Sequence, residues 1–272
     1  MTFLANLNWL PTQALMRRVG SPALDADALD YIQRVEAADG QALEPAVKTA
    51  INDFVLGMKE DQNWDKLNVT CIMAGARTLN GALEPLTGTA PTNFNFVSDD
   101  YNRKTGLKGD GSTKYLDSNR SFTADAVDDV HISAYLTSAP IAGPGRYIAG
   151  RGNREVLEND PAPGFRTRFG SSTLYTLAAG LDATPCLIGC SRANLSKFSW
   201  RGYGTGGTQA DTAGAEAGFS YRIFAQPSLN GIDATSYTAA RLSFYSIGES
   251  IDLAALDTRV SNLMTAIDGA IA

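Results

Sequence analysis

The chain of 272 residues contains a single histidine, His131, and that closes most routes to chemistry. One imidazole cannot build a histidine-rich metal site, and the Ser–His–acid and Cys–His arrangements each need it as their base. It sits in Val130-His-Ile-Ser-Ala-Tyr-Leu136. Strand alternation puts Val130, Ile132, Ala134 and Leu136 on one face and His131 on the other. A mid-strand position favours a structural or solvent-facing histidine over a catalytic one. Glycoside hydrolysis needs two carboxylates about 5 to 10 Å apart across the scissile bond. None of the eight glutamates lies in a run that would present such a pair. Glu155 and Glu158, three apart, fall on opposite faces of a strand. Glu158 and Asp160 share a face, but Pro161 follows and reads as a loop. The expectation is therefore that the chain is not an enzyme; a polysaccharide depolymerase, the less favoured alternative, would have to use Glu155, Glu158 or Asp160.

Metal and cofactor chemistry finds no better support. Asp99, Asp100, Asp110, Asp117, Asp128 and Asp129 supply the hard oxygen ligands that suit Ca²⁺. No recognised loop motif contains them, and aspartate at strand ends is ordinary turn chemistry. No cofactor is expected. Three cysteines, Cys71, Cys186 and Cys190, are an odd number without a disulfide framework, and Cys186…Cys190 has no second Cys or His pair to make a zinc site. The glycine-rich Gly202-Tyr-Gly-Thr-Gly-Gly207 lacks the Lys-Ser/Thr of a phosphate loop and reads as a mobile loop between strands.

Binding is easier to support than catalysis. Aromatic rings on a sheet face or loop stack on sugar rings while polar groups at the rim orient hydroxyls. Phe198 and Trp200 share a strand face and read first as core; Tyr203 reads as the exposed ring. The candidate ligand-binding set is Tyr203 and Trp200 with the polar Arg151 and Asn153. Basic residues group at Arg146, Arg151, Arg154, Arg166 and Arg168 and read as a solvated strand face and loop. A net charge of −6 and a pI near 4.9 argue against nucleic acid, because such partners require clustered cations to neutralise phosphates. No apolar run is long enough for a membrane span, and residues 1–11 do not read as a secretory leader.

The elements that would position these residues change character along the chain. Residues 1–24 read as an arm that docks on a neighbouring subunit or on its own domain. Residues 25–78 read as a helical attachment or oligomerisation region. Asp25 or Asp27 caps a helix carrying Leu29, Ile32 and Val35 that ends at Gly40. Pro45 opens a second, whose stripe is Val47, Ala50, Ile51, Phe54, Val55 and Met58. Trp64, Leu67 and Cys71 suggest a third. From residue 79 to 272, short alternating runs separated by Gly, Pro and Asp turns predict a β-sandwich. These runs are 93–97, 114–116, 130–136, 146–148, 165–169, 174–177, 198–200, 219–224 and 241–247. The turn at Gly109-Asp-Gly111 reads as a hairpin. Arg241–Ile247 stops at Gly248 and feeds a helix over 252–267.

A β-rich body closed by strand, glycine and helix resembles a concanavalin-like (laminin-G-like) jelly roll. The fold class expected is thus mainly β, a jelly-roll sandwich with a small N-terminal helical region and a C-terminal helix. Tyr31-Ile-Gln-Arg-Val-Glu-Ala-Ala-Asp-Gly40 and the stretch Ala90–Leu116 resemble segments of tailed-phage virion proteins. That resemblance implies a structural protein exposed on the particle as a tail-fibre or adhesin module, with host glycans as the ligand class; a capsid decoration protein is the alternative. It further implies assembly in the host cytoplasm, other virion proteins as partners and a homo-oligomer, a trimer by the symmetry of such assemblies. No functional-residue motif accompanies it.

Overall fold

The computed structural model describes residues 23–139, 145–151, 154–159, 164–179, 185–214, 218–228 and 234–272. Its helices are α1 (Ala26–Asp39), α2 (Pro45–Glu60), the one-turn α3 (Leu79–Ala82) and α4 (Leu253–Ala270). The early strands are β1 (Leu67–Ile72), β2 (Pro85–Thr87), β3 (Thr92–Phe94), β4 (Tyr101–Asn102), β5 (Gly106–Lys108), β6 (Tyr115–Ser121) and β7 (Val130–Ser138). The middle ones are β8 (Arg146–Arg151), β9 (Arg154–Asn159), β10 (Gly164–Arg168), β11 (Tyr175–Ala179), β12 (Cys186–Arg192), β13 (Lys197–Gly202) and β14 (Thr205–Ala210). The last are β15 (Ser220–Ile223), β16 (Gln226–Pro227), β17 (Ala234–Thr235) and β18 (Arg241–Gly248).

All but β16 and β17, which pair with each other, form two antiparallel sheets packed face to face. The nine-stranded sheet runs β14-β13-β12-β7-β18-β1-β2, with β5 on β18 and β4 on β5; the seven-stranded sheet runs β11-β10-β9-β8-β15-β6-β3. Alternation decides what each face buries. Ile132, Ala134, Leu136, Ile188, Phe198 and Ile247 meet Leu116, Tyr147, Leu157, Phe165, Tyr221 and Ile223 in the sandwich core. The expected jelly-roll sandwich, with helices before and after it, is what forms.

The nine-stranded sheet is covered on its other face too. Leu67, Ile72, Tyr135, Leu187 and Phe244 point outward into a second core with α1, α2 and α4. The rings of Phe54 on α2 and Phe244 on β18 meet edge to face with centroids 5.9 Å apart. Helix ends follow the sequence closely. Asp25 caps α1, which stops at Gly40 with φ of 64°; Pro45 starts α2; and Asp252 accepts from Ala254 and Ala255 N–H at the head of α4. The division at 78/79 falls between β1 and β2, neighbours in one sheet; Ile32 and Val35 of α1 and the stripe of α2 are buried within the chain, while Leu29 is exposed.

Three local expectations are corrected. Leu67 and Cys71 do not continue a helix: Trp64–Lys66 makes one 3₁₀ turn and β1 follows, because its residues pair along β18 from Leu67↔Gly248 to Ile72↔Phe244. The Gly109-Asp-Gly111 turn is not a hairpin but a crossing between sheets, with β5 on the nine-stranded sheet and β6 on the seven-stranded one. Asp110 fixes that crossing by accepting from the N–H groups of Ser112, Thr113 and Lys114. Against some desolvation, the Thr113 hydroxyl and these N–H groups hold its carboxyl well below the usual carboxylate range. Gly202–Gly207 is a regular hairpin. Tyr203 and Gly204 take φ of 52° and 73°, the positive pair that a two-residue type I′ turn demands, and β13 pairs with β14 from Gly202↔Thr205 to Lys197↔Ala210.

Candidate functional site

The seven-stranded sheet turns one face away from the sandwich core, and that face carries an arginine cluster. Arg146 on β8, Glu158 on β9 and Arg166 on β10 lie directly opposite one another across three adjacent strands. A register shift after Arg146 lets Tyr147 and Ile148 both enter the core while Arg146 stays outside. Arg168, two residues along β10 from Arg166, shares its face. The result is three guanidinium groups around one carboxylate. Glu158 is fully buried and pairs with Arg146, whose Nε also donates to Gln226 Oε1 at 2.9 Å. Arg166 Nη2 and Arg168 Nη1 each stand 3.4 Å from Glu158 Oε1.

The electrostatics follow from that crowding. Arg146 is lowered to about 10 by burial and by the like charges of Arg168 and Arg166. Burial, with Arg166 beside it, also lowers Arg168. Further along the sheet Arg222 on β15 pairs with Asp117 on β6 and lies over the Tyr115 ring, 5.4 Å from its centroid. Tyr115 stacks on Phe94 with centroids 4.3 Å apart and planes 5° apart. Phe94 is partly exposed, so the sheet offers an aromatic edge beside a row of alternating charges.

Of the four ligand-binding residues singled out from sequence, Tyr203 and Trp200 have described side chains. Tyr203, expected as an exposed ring, is buried; its hydroxyl donates to the Gly164 carbonyl at 3.3 Å, because the type I′ turn folds the ring back over β10. Trp200 lies on the nine-stranded sheet, partly buried against the sandwich core that encloses Phe198. Arg151 ends β8 opposite Arg154. Asn153 and Asp160 lie outside the described residues, as do the side chains of Arg151, Arg154 and Glu155. The basic group, expected to be a solvated face, is instead largely sunk in the sheet: the side chains of Arg146, Arg166 and Arg168 are 13%, 18% and 18% exposed. The i,i+2 spacing of Arg166 and Arg168 was the signal that they share a face. Nothing in sequence showed that Glu158 would stand between them and Arg146.

Other titratable groups serve the fold. His131 is fully buried: Nδ1–H donates to the Glu249 carbonyl, and Nε2 accepts from Ser246 Oγ at 2.9 Å. Burial lowers its pKa to about 4. Cys71, Cys186 and Cys190 are free and buried, with the thiol of Cys186 pushed up to about 11 by desolvation. Among the described residues no group of three or more His, Cys, Asp or Glu side chains could hold a metal ion. No described helix is long and apolar enough to cross a membrane.

No protein-family model matches the chain, and no curated protein matches it. Solved structures do. A mutant of Trypanosoma rangeli sialidase displaying trans-sialidase activity aligns with a TM-score of 0.50 at 13% identity, over 80% of this chain and 39% of that one. Trypanosoma rangeli sialidase itself gives 0.46 at 11% identity, over 82% and 39%. A leech intramolecular trans-sialidase complexed with 2,7-anhydro-Neu5Ac gives 0.36 at 9%, over 56% and 27%. This chain thus spans about two fifths of the sialidase it matches. At such identity the likeness establishes the fold, and the activity named is that protein's. The expectation that the chain is not an enzyme is corrected to this extent: it rested on sequence spacing alone, and a protein named as a sialidase shares the fold, so the exclusion does not stand.

Proposed function

We propose that this chain is a saccharide-recognising jelly-roll module, carried on the exterior of a tailed-phage particle as a tail-fibre or adhesin component. The observation that supports recognition is the outward face of the seven-stranded sheet. It combines a stacked aromatic pair, Phe94 and Tyr115, with rows of guanidinium and carboxylate groups on adjacent strands. Sugars are recognised by rings that cover their apolar faces and by polar groups that orient their hydroxyls. The fold neighbour is named as a sialidase, a carbohydrate-active protein, in keeping with that reading. The particle context rests on the resemblance of Tyr31–Gly40 and Ala90–Leu116 to virion proteins, and host glycans are the ligand it implies.

The test has two arms. The purified chain is applied to an array of bacterial surface polysaccharides, and an antibody against it is used to label intact particles. Retention on a defined saccharide subset, reduced by Phe94→Ala, together with labelling at the tail, is the expected result. An array without retention overturns the recognition reading, and labelling over the head replaces tail-fibre by decoration.

A further inference from the structure

We propose that the arginine cluster of the seven-stranded sheet is an oxyanion site, and that the saccharide bound there carries a carboxylate, as a hexuronate does. The inference deepens the recognition reading and rests on it for the saccharide, though not for the anion. Charge comes first. Even with Arg166 left out of the count, Arg146 and Arg168 are two guanidinium groups sharing one carboxylate, Glu158, among the described residues. Cations that crowd one another at 13% and 18% side-chain exposure cost free energy that a second anion would recover. Burial first, and then the like charges of Arg168 and Arg166, lower Arg146; burial first, and then Arg166, lower Arg168.

Geometry then separates a holding arginine from a receiving one. Arg146 is committed on two sides, to Glu158 and to Gln226 Oε1. Arg168 touches Glu158 only at 3.4 Å, well beyond the 2.7–2.9 Å of a charge-assisted hydrogen bond. Its planar fork is therefore not locked onto that carboxylate, and the cluster already accommodates one carboxylate in Glu158. Both features suit a second, incoming carboxylate gripped in bidentate fashion. A sheet face with Phe94 and Tyr115 further along it suits the rest of a sugar chain better than a free ion.

The full chain is titrated with glucuronate, glucose, acetate and sulfate at low salt, by calorimetry and by chemical-shift perturbation. Glucuronate is expected to bind at least tenfold more tightly than glucose, and to weaken as salt is raised. Arg168→Gln, which leaves Glu158 paired with Arg146, is expected to keep the fold and lose at least tenfold in glucuronate affinity. Glu158→Gln removes the competing carboxylate and, where the variant stays folded by circular dichroism, should tighten glucuronate several-fold. A purely structural cluster predicts no such gain. Binding of glucuronate, acetate and sulfate alike through Arg168 keeps the oxyanion site and overturns the saccharide part. Equal binding of glucose and glucuronate, indifferent to Arg168→Gln, keeps saccharide recognition and overturns the oxyanion site. No binding of any of the four overturns both.

Discussion

Acidification should destabilise this protein through a single buried imidazole. His131 holds a pKa of about 4 in the folded chain against 6.5 for an exposed histidine. In the unfolded chain it titrates at the ordinary value. Between the two, the unfolded state binds a proton that the folded state refuses, so stability falls as pH falls. One pH unit is worth about 1.36 kcal/mol. The gap of about 2.5 units therefore corresponds to about 3 kcal/mol in all, of which about 2 is lost between pH 8 and 5. Against a typical total of about 5–15 kcal/mol that is a large share. The window matters because Asp25, Glu44 and Asp61 are lowered by their cationic partners. The stability they contribute is lost only as pH falls through and below the ordinary carboxylate range. Urea unfolding at half-unit steps from pH 8 to 5 measures the slope. His131→Gln cannot protonate, so its stability should be nearly flat over the same range, whatever its offset at pH 8. As the chain's only histidine, His131 gives a single imidazole signal by proton NMR, expected to titrate near 4. A midpoint above 6, or an unchanged slope in His131→Gln, would refute the reasoning.

Substitutions at Arg192 and Gly189 probe β12, in the sheet that packs against the one carrying the candidate site. Arg192, fully buried, joins Asp211 Oδ2 at 2.8 Å and the Phe169 carbonyl at 2.6 Å. Arg192→Met should cost about 3–5 kcal/mol by stranding a buried carboxylate, and the added Asp211→Asn should recover part of it, both read from urea midpoints. Gly189 on β12 has no room for a side chain: a Cβ there would lie 2.9 Å from Ser133 Cβ and 3.1 Å from Leu253 Cδ2. Gly189→Ala should then cost about 1–3 kcal/mol by overpacking against β7 and α4, and an unchanged midpoint would refute that.

The sequence carried more of the fold than of the site. The caps at Asp25 and Asp252, the stop at Gly40 and the start at Pro45 are decided within a few residues, so they could be read directly. Val130–Leu136 was legible as a strand because its alternation repeats along one segment. β12 was not: all of its residues are buried, since the sheet is covered by the second sheet on one side and by α4 on the other, and a strand buried on both faces loses its polar rhythm. The glycine-rich hairpin hid for a different reason: its outer strand is an exposed edge with little side chain to pack. Tyr203 is not legible as buried from sequence, because a turn residue's ring can fold back onto a neighbouring strand.

What the sequence determined by itself, then, is what depends on neighbours along the chain: helix ends, strand period, turn chemistry, and the presence of a single histidine. What the tertiary structure decided is what depends on neighbours across it. Whether Arg146, Arg166 and Arg168 are a wet strand face or a sunken cluster turns on Glu158 arriving from the strand between them. Pairing register sets that, and a shift of one residue would have sent Glu158 to the opposite face.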